Sequence, residues 1–139
     1  MISFNYETDF QLENETQFSD WISRVILSEN KKEGDINYIF CDDEYLLQIN
    51  QEHLQHDYYT DIISFDYTIG NEINGDMFIS VDRVKENAED FNVTFEEELK
   101  RVIVHGVLHY CGYKDKSEAD EFLMRSKEDE KLAMFHVEQ

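Results

Sequence analysis

The segment TFEEELKRVIVHGVLHYCGYKD, which spans residues 94–115, predicts the central helix of the fold. Thr94 and Glu97 have the spacing of a capping box, in which two side chains bond each other's backbone N–H groups at a helix start. Gly112 can end the helix, because glycine adopts left-handed backbone angles at little cost. Apolar residues recur every three or four positions between these limits, which indicates a buried face. We therefore expect a central, deeply buried helix whose inward residues are Phe95, Leu99, Val102, Ile103, Gly106 and Tyr110.

The C-terminal end of this helix carries side chains that could hold one metal ion. His105 and His109 are four residues apart, so their imidazoles lie one above the other on one helical face. After Gly112 the chain can turn back and bring Asp115 toward both imidazoles. Two imidazoles and one carboxylate leave a tetrahedral ion one open position, which is typical of a catalytic zinc site rather than a structural one. The histidine pair alone would more often be an ordinary surface or core pair, and the added glycine and carboxylate are what point to a metal.

The length and composition indicate one packed domain, comprising residues 1–139. The 139 residues are 41% hydrophobic and 14% aromatic, which is enough for a single core. No apolar run approaches the ~18 residues of a membrane span, and the first residues lack a basic region followed by an apolar one. Cys41 and Cys111 form no metal-binding or redox pair, so we expect both to be reduced in a cytoplasmic protein that binds no membrane.

The chain is strongly acidic, with a formal net charge of −20. Such a charge argues against broad, non-specific nucleic-acid binding, which needs Lys and Arg to neutralise phosphates, and we expect no DNA partner. Nine of the twelve Lys and Arg residues fall between Arg83 and Lys131. They either form a local positive patch or balance neighbouring acids on solvated helix faces, and the sequence leaves both interpretations open. The residues that flank the candidate metal site are Lys100, Arg101, Lys114 and Lys116.

Hydrophobic periodicity and turn residues divide the rest of the chain into strands and helices. The expected strands are Ile2–Tyr6, Ile36–Phe40, Asp61–Tyr67 and Asp76–Val81. The expected further helices cover residues 15–28, about 43–55, 82–91 and 118–134, with capping boxes at Asn14/Gln17 and Ser117/Asp120 and turns at Lys31–Asp35 and Gly70–Gly75. The order β-α-β-α-β-β-α-α-α predicts an α/β (α+β) single domain. We expect a small four-stranded mixed sheet packed with about five helices, and a metal site at the end of the central helix.

Three segments of the chain resemble the YbeY family, the bacterial rRNA maturation factors described as metal-dependent endoribonucleases. His105–Tyr113 resembles the family signature His-Gly-x-Leu-His-Leu-x-Gly-Tyr. Ile49–Asn50 followed by Thr60–Phe65 resembles its Leu-Asn … Thr-Asp-Val-Leu-Ser-Phe segment, and Gly75–Ser80 resembles its Gly-Asp-Ile-x-Ile-Ser strand. The segments keep the family's order and spacing and span roughly residues 35–116.

The resemblance implies a single-strand-specific, metal-dependent endoribonuclease that acts in 16S rRNA 3′-end maturation and ribosome biogenesis with a zinc-activated water. It implies one Zn²⁺ ion, or another divalent transition metal, held by His105, His109 and Asp115. Ribosomal RNA and the small ribosomal subunit or its assembly factors are the implied partners. The resemblance assigns no catalytic residue to this chain, and no general base is assigned.

The chain departs from the family pattern at two positions. The family signature usually ends Tyr-Asp-His, and its final His is the third metal ligand, whereas Asp115 stands there in this chain. Asp oxygen also binds zinc, but the added negative charge should acidify a bound water less. Leu54 occupies a position where many members have Arg. If that Arg contacts RNA, the contact is missing here or is supplied elsewhere, with Arg101 as the candidate.

Two other functions are compatible with the same residues. One is a non-catalytic ribosome-assembly protein whose metal mainly holds the fold, which the acidic surface and the missing Arg favour. The other is a zinc peptidase, which is disfavoured because Gly106 stands where the His-Glu-x-x-His motif places its general base. Glu98 is expected to be a solvated surface residue. Asp61 is expected either in a turn or facing the site, and Gly75 in a hairpin turn.

Overall fold

The computed structural model describes residues 1–135 of the chain. Its elements are β1 (Ile2–Tyr6), α1 (Glu15–Ser28), β2 (Lys32–Cys41), α2 (Asp43–Leu54), β3 (Ile62–Asp66), β4 (Glu72–Ser80), α3 (Val81–Asp90), α4 (Phe95–Tyr110) and α5 (Glu118–Leu132). This order confirms the predicted alternation of strands and helices. The predicted single domain of residues 1–139 includes residues 136–139, which lie outside the described part. No helix within residues 1–135 has the length and apolar character to cross a membrane.

The four strands form one mixed sheet in the order β1-β2-β4-β3. The pairs β1–β2 and β2–β4 are parallel, and β3 and β4 form the predicted antiparallel hairpin. Helix α1 connects the parallel neighbours β1 and β2, which need a crossover connection. Helix α2 leads from β2 to β3, which lies at the edge of the sheet beyond β4. The prediction of a small mixed sheet packed with five helices is therefore confirmed.

Two segments predicted as turns, Lys31–Asp35 and Gly70–Gly75, belong largely to strands, while Gly70 and Asn71 form a turn as predicted. Lys32 pairs with Glu72, so β2 and β4 each begin about four residues earlier than expected. The ladder between them shifts register between Glu33 and Ile36, which marks a bulge. Gly34 lies in this bulge, where a Cβ atom would collide with the Asn74 side chain. The glycine permits close approach of two strands here, and the turn prediction for Lys31–Asp35 was wrong for that reason.

The helix starts show where local sequence signals hold. The capping boxes predicted at Thr94 and Ser117 are both formed, at the starts of α4 and α5. The box predicted at Asn14 is wrong, because the Asn14 side-chain amide donates to the Gln17 side chain at 2.7 Å and makes no bond to the backbone of α1. Side-chain pairing has replaced capping at this helix start.

Helix α4 packs on the sheet and is the most deeply embedded helix, with ten of its sixteen residues buried. Its last residue, Tyr110, places its hydroxyl 3.0 Å from the carbonyl oxygens of both Phe65 and Asp76. Gly75 lies in β4 directly under the Tyr110 ring. The prediction of Gly75 in a hairpin turn is therefore wrong, since the missing side chain makes room for the end of α4.

We predict that Gly75→Ala lowers the free energy of unfolding by ~2–3 kcal/mol. The added methyl group would stand 2.5 Å from the Tyr110 ring and 2.6 Å from the Phe65 carbonyl oxygen, so the end of α4 must shift. Urea denaturation followed by circular dichroism measures the change.

Gly70→Ala is the matched control. A methyl group there meets no atom within 4 Å, and only the φ angle of +61° opposes it. We expect a smaller loss of about 1 kcal/mol. Equal losses in the two variants would contradict the packing role of Gly75.

Candidate metal centre

The structure brings His105, His109 and Asp115 together at the end of α4. The two imidazole Nε2 atoms are 3.0 Å apart, and Asp115 Oδ2 lies 3.4 Å from His105 Nε2 and 3.5 Å from His109 Nε2. Two ligands that each lie ~2.0–2.1 Å from a tetrahedral zinc ion stand ~3.3 Å from each other. The three donor atoms therefore have the separations that one ion of this size requires. Within residues 1–135, this is the group of His, Cys, Asp and Glu side chains that could hold a metal ion.

Local geometry accounts for this convergence. The two histidines lie one turn apart on α4, with ring centroids 4.6 Å apart. The helix ends at Tyr110, and Gly112 follows with a φ angle of +108°, which is the helix stop that the sequence predicts. The chain then turns back and presents Asp115 before α5 begins. Helix spacing and one glycine thus bring the three side chains to the same end of α4.

The loop that carries Asp115 is anchored by Tyr113. The His109 Nδ1 atom lies 2.9 Å from the Tyr113 backbone oxygen, which can accept a hydrogen bond from it. The Tyr113 hydroxyl donates to Glu29 at 2.6 Å, and the buried Lys131 pairs with Glu29 at 2.8 Å. This chain of bonds ties the loop to α1 and α5 and orients His109 from the side opposite the metal position.

A buried carboxylate on α5 supports His105 in the same way. Glu128 Oε2 lies 2.6 Å from His105 Nδ1, and Arg101 donates to Glu128 Oε1 at 2.8 Å. Burial alone would raise the pKa of Glu128, but the hydrogen bonds from His105 and Arg101 outweigh burial and lower it. Burial likewise acts to lower the pKa of His105, and the bond to Glu128 together with the charges of Asp115 and Asp61 raises it overall. Glu128 is therefore a carboxylate at neutral pH.

Sequence reasoning missed Glu128. The available signal was its position on α5, because the buried residues of that helix, Met124, Glu128 and Lys131, follow helical spacing. A carboxylate on an otherwise inward face needs a partner, and a histidine or arginine of a neighbouring helix is the expected one. Nothing in the sequence says which neighbouring helix that is.

A cavity of about 220 Å³ opens beside His105 and is lined by further acids. Asp61 lies at this cavity, which agrees with the alternative that it faces the site. Glu98 also lines it and is only 5% exposed, so the prediction of a solvated Glu98 was wrong. The end of α3 and the face of α5 that carries Arg125 cover this part of α4. Burial raises the pKa of both Asp61 and Glu98.

The cations predicted to flank the site divide into two kinds. Arg101 is held by Glu128 and by Asp129, at 2.8 and 2.7 Å, so its guanidinium is already neutralised. Lys100 is buried and pairs with Glu96 at 3.3 Å. These two residues balance neighbouring acids, which is one of the two interpretations left open above. The others are exposed to solvent: Lys114 and Lys116.

Comparisons with known proteins identify the family of the chain. The family model described as endoribonuclease YbeY matches residues 2–136. A protein named endoribonuclease YbeY from Flavobacterium johnsoniae is 74% identical over 139 residues, covering 100% of both chains. Its namesake from Flavobacterium psychrophilum is 71% identical, covering 100% of this chain and 99% of the relative. A third protein of this name, from Christiangramia forsetii, is 60% identical, and the match covers 99% of this chain and 96% of the relative.

A solved structure shares the fold. The solution structure of a protein from Thermotoga maritima superposes with a TM-score of 0.72 at 26% sequence identity. The match covers 97% of this chain and 89% of the other. Sequence matches over the whole chain and a shared fold lead to one conclusion: the chain belongs to the endoribonuclease YbeY family.

Proposed function

We propose that this chain is a metal-dependent endoribonuclease that cleaves single-stranded RNA in the maturation of the 16S rRNA 3′ end. The observation that carries the proposal is the triangle of His105 Nε2, His109 Nε2 and Asp115 Oδ2, with sides of 3.0–3.5 Å, in a chain of this family. The similar proteins bear the name endoribonuclease, and rRNA maturation is the role of the family. Ribosomal RNA, the small ribosomal subunit and its assembly factors are the proposed partners, in the cytoplasm.

Zinc is the ion that we propose for the site, with another divalent transition metal as the alternative. Two imidazoles and one carboxylate are a donor set that zinc accepts, and the distances between the donor atoms suit its size. When bound, such an ion lowers the pKa of a water molecule and polarises a phosphoryl oxygen. His105, His109 and Asp115 hold the ion, and Glu128 and the Tyr113 carbonyl orient the two imidazoles.

Solvent access favours a catalytic site over a purely structural metal. The side chains of His105, His109 and Asp115 are 24%, 31% and 44% exposed, so a phosphate group can reach them. A structural zinc site is typically closed by four protein ligands. Within the described 135 residues, the candidate group contains only these three members.

The packing of Gly106 argues further against a zinc peptidase. A Cβ atom at this position would collide with the Met77 sulfur and stand 3.1 Å from Ile62 Cδ1. A glutamate at this position, where the peptidase motif places its general base, would therefore point into the sheet. The fold excludes that base for a steric reason.

Exposed cations near the metal position are the groups that we expect to contact RNA phosphates. Arg101 does not replace the arginine missing at Leu54, because Glu128 and Asp129 already bind it. Arg125 lines the cavity beside His105 and is 61% exposed, with Glu128 4.0 Å away. Together with Lys114 and Lys116 on either side of Asp115, it supplies local positive charge on an acidic body.

RNA cleavage should depend on the metal ion. Protein stripped with a chelator should lose RNA cleavage and regain it with Zn²⁺, because the reaction needs the ion at this site.

Asp115→Ala should weaken Zn²⁺ binding more than ~100-fold, since loss of a ligand costs more than loss of a supporting group. Competition with a chromophoric chelator measures the affinity.

His56→Ala is the matched control for the metal prediction. His56 is an exposed histidine whose Nδ1 atom contacts the Tyr58 hydroxyl at 3.0 Å. This variant should bind Zn²⁺ as the wild type does. Undiminished cleavage by chelator-stripped wild-type protein would refute the proposed mechanism.

Arg125 should contribute one phosphate contact to RNA binding. Arg125→Gln should raise the Michaelis constant for a single-stranded RNA about fivefold, the equivalent of ~1 kcal/mol, and change kcat little. The slope of binding against salt should fall by about 0.7, the value for one phosphate contact on a single strand. Steady-state kinetics at several salt concentrations measure both quantities.

Lys32→Gln serves as the control for Arg125, because Lys32 is an exposed cation at the first residue of β2. It should leave both the Michaelis constant and the salt slope as in the wild type. Equal effects of the two substitutions would mean that only net charge matters, and the contact assigned to Arg125 would be wrong.

A further inference from the structure

We propose that Glu128 is a positioning residue that acts through His105 and sets the affinity of the site for its metal ion. The inference rests on the proposed function, because it concerns the same metal position. Glu128 does not touch the metal position, since its carboxylate lies behind His105, and only 4% of the residue is exposed to solvent. It acts by fixing which ring atom of His105 faces Asp115 and His109.

Glu128 fixes the orientation of the His105 imidazole. A neutral imidazole carries its proton on one nitrogen and a lone pair on the other, and the partner of one nitrogen decides the role of the other. Glu128 Oε2, 2.6 Å from His105 Nδ1, is an acceptor that holds the proton on Nδ1. Nε2 then keeps its lone pair and faces Asp115 and His109, 3.4 and 3.0 Å away. A ring turned over would lose the bond to the carboxylate.

The Glu128 carboxylate is itself held rigidly. Its other oxygen, Oε1, accepts a hydrogen bond from Arg101 at 2.8 Å, so both carboxylate oxygens have partners. A buried carboxylate with both oxygens bonded cannot rotate away, and His105 is therefore preorganised before an ion arrives.

Glu128 also acts through its negative charge. His109 is oriented by a neutral backbone carbonyl of Tyr113, whereas His105 is oriented by an anion. A carboxylate behind an imidazole makes its lone pair a stronger donor to a metal. Asp115 and Glu128 together also bring two negative charges to a site for an ion that carries two positive ones. The support of His105 thus adds to metal affinity beyond geometry alone.

The test compares Zn²⁺ dissociation constants of the wild type, Glu128→Gln and Glu128→Asp by chelator competition. Glu128→Gln keeps the size of the side chain and removes its charge, and Glu128→Asp keeps the charge and withdraws it from His105. We expect each variant to bind Zn²⁺ about 10- to 100-fold more weakly, the usual effect of losing such a supporting group. Zinc-loaded wild type should also show a slowly exchanging downfield proton resonance from His105 Nδ1–H, which Glu128→Gln shifts upfield.

Asp129→Asn is the matched control, because it removes the other carboxylate partner of Arg101 without touching His105. It should bind Zn²⁺ within about twofold of the wild type. If both Glu128 variants lower the melting temperature of chelator-stripped protein but bind Zn²⁺ as the wild type does, the residue is structural and the proposal is overturned. If Glu128→Gln does not fold, wild-type affinity in Glu128→Asp overturns it equally.

The two proposals fail in different ways. Wild-type protein that binds neither Zn²⁺ nor another divalent transition metal would overturn the proposed function, whatever Glu128 does. Wild-type protein that binds Zn²⁺ with the same affinity as both Glu128 variants would overturn only the positioning role. Tight binding by the wild type, with weakened binding by both variants and a normal Asp129→Asn, supports both.

Discussion

The candidate metal centre depends on the rigid placement of α4 against the sheet. Helical geometry puts His105 and His109 one turn apart, but they can share an ion with Asp115 only if the helix end keeps its position. Tyr110 provides this by packing its ring against Gly75 and its hydroxyl against two backbone carbonyls. Because packed cores tolerate little displacement, the end of α4 has one position on the sheet. The chemistry of the site is built on that contact.

The charged side chains around α4 form a buried group and a solvent-exposed group. Inside, Arg101 donates to Glu128, and Glu128 holds His105. Outside, exposed cations such as Arg125 stand at the rim, on a chain whose formal net charge is −20. A strongly acidic protein can therefore still present positive charge beside the candidate metal centre. Overall charge limits non-specific binding, while local charge decides where phosphates can be held.

Glycine and side-chain caps illustrate how far local signals extend. The capping boxes at Thr94 and Ser117 formed as predicted, because all of their partners lie within one helical turn. Gly34 and Gly75 were predicted in turns, yet both lie in strands where a neighbouring side chain fills the missing volume. Glycine permits a turn and a close approach equally well, so only the neighbouring element decides between them. Glu98 was misjudged for the same reason, since its burial depends on which helices cover α4.

Helix α4, the four-residue spacing of His105 and His109, and the turn after Gly112 that returns Asp115 were all predictable from the amino-acid sequence. They follow from backbone geometry within one helix and the turn after it, whereas the family resemblance follows from three short motifs. The position of Glu128 behind His105 could be seen only in the folded chain, because the two residues are 23 positions apart and meet through the packing of α5 on α4. Such a contact is the sum of many weak apolar interactions across the whole core, and no local pattern encodes it.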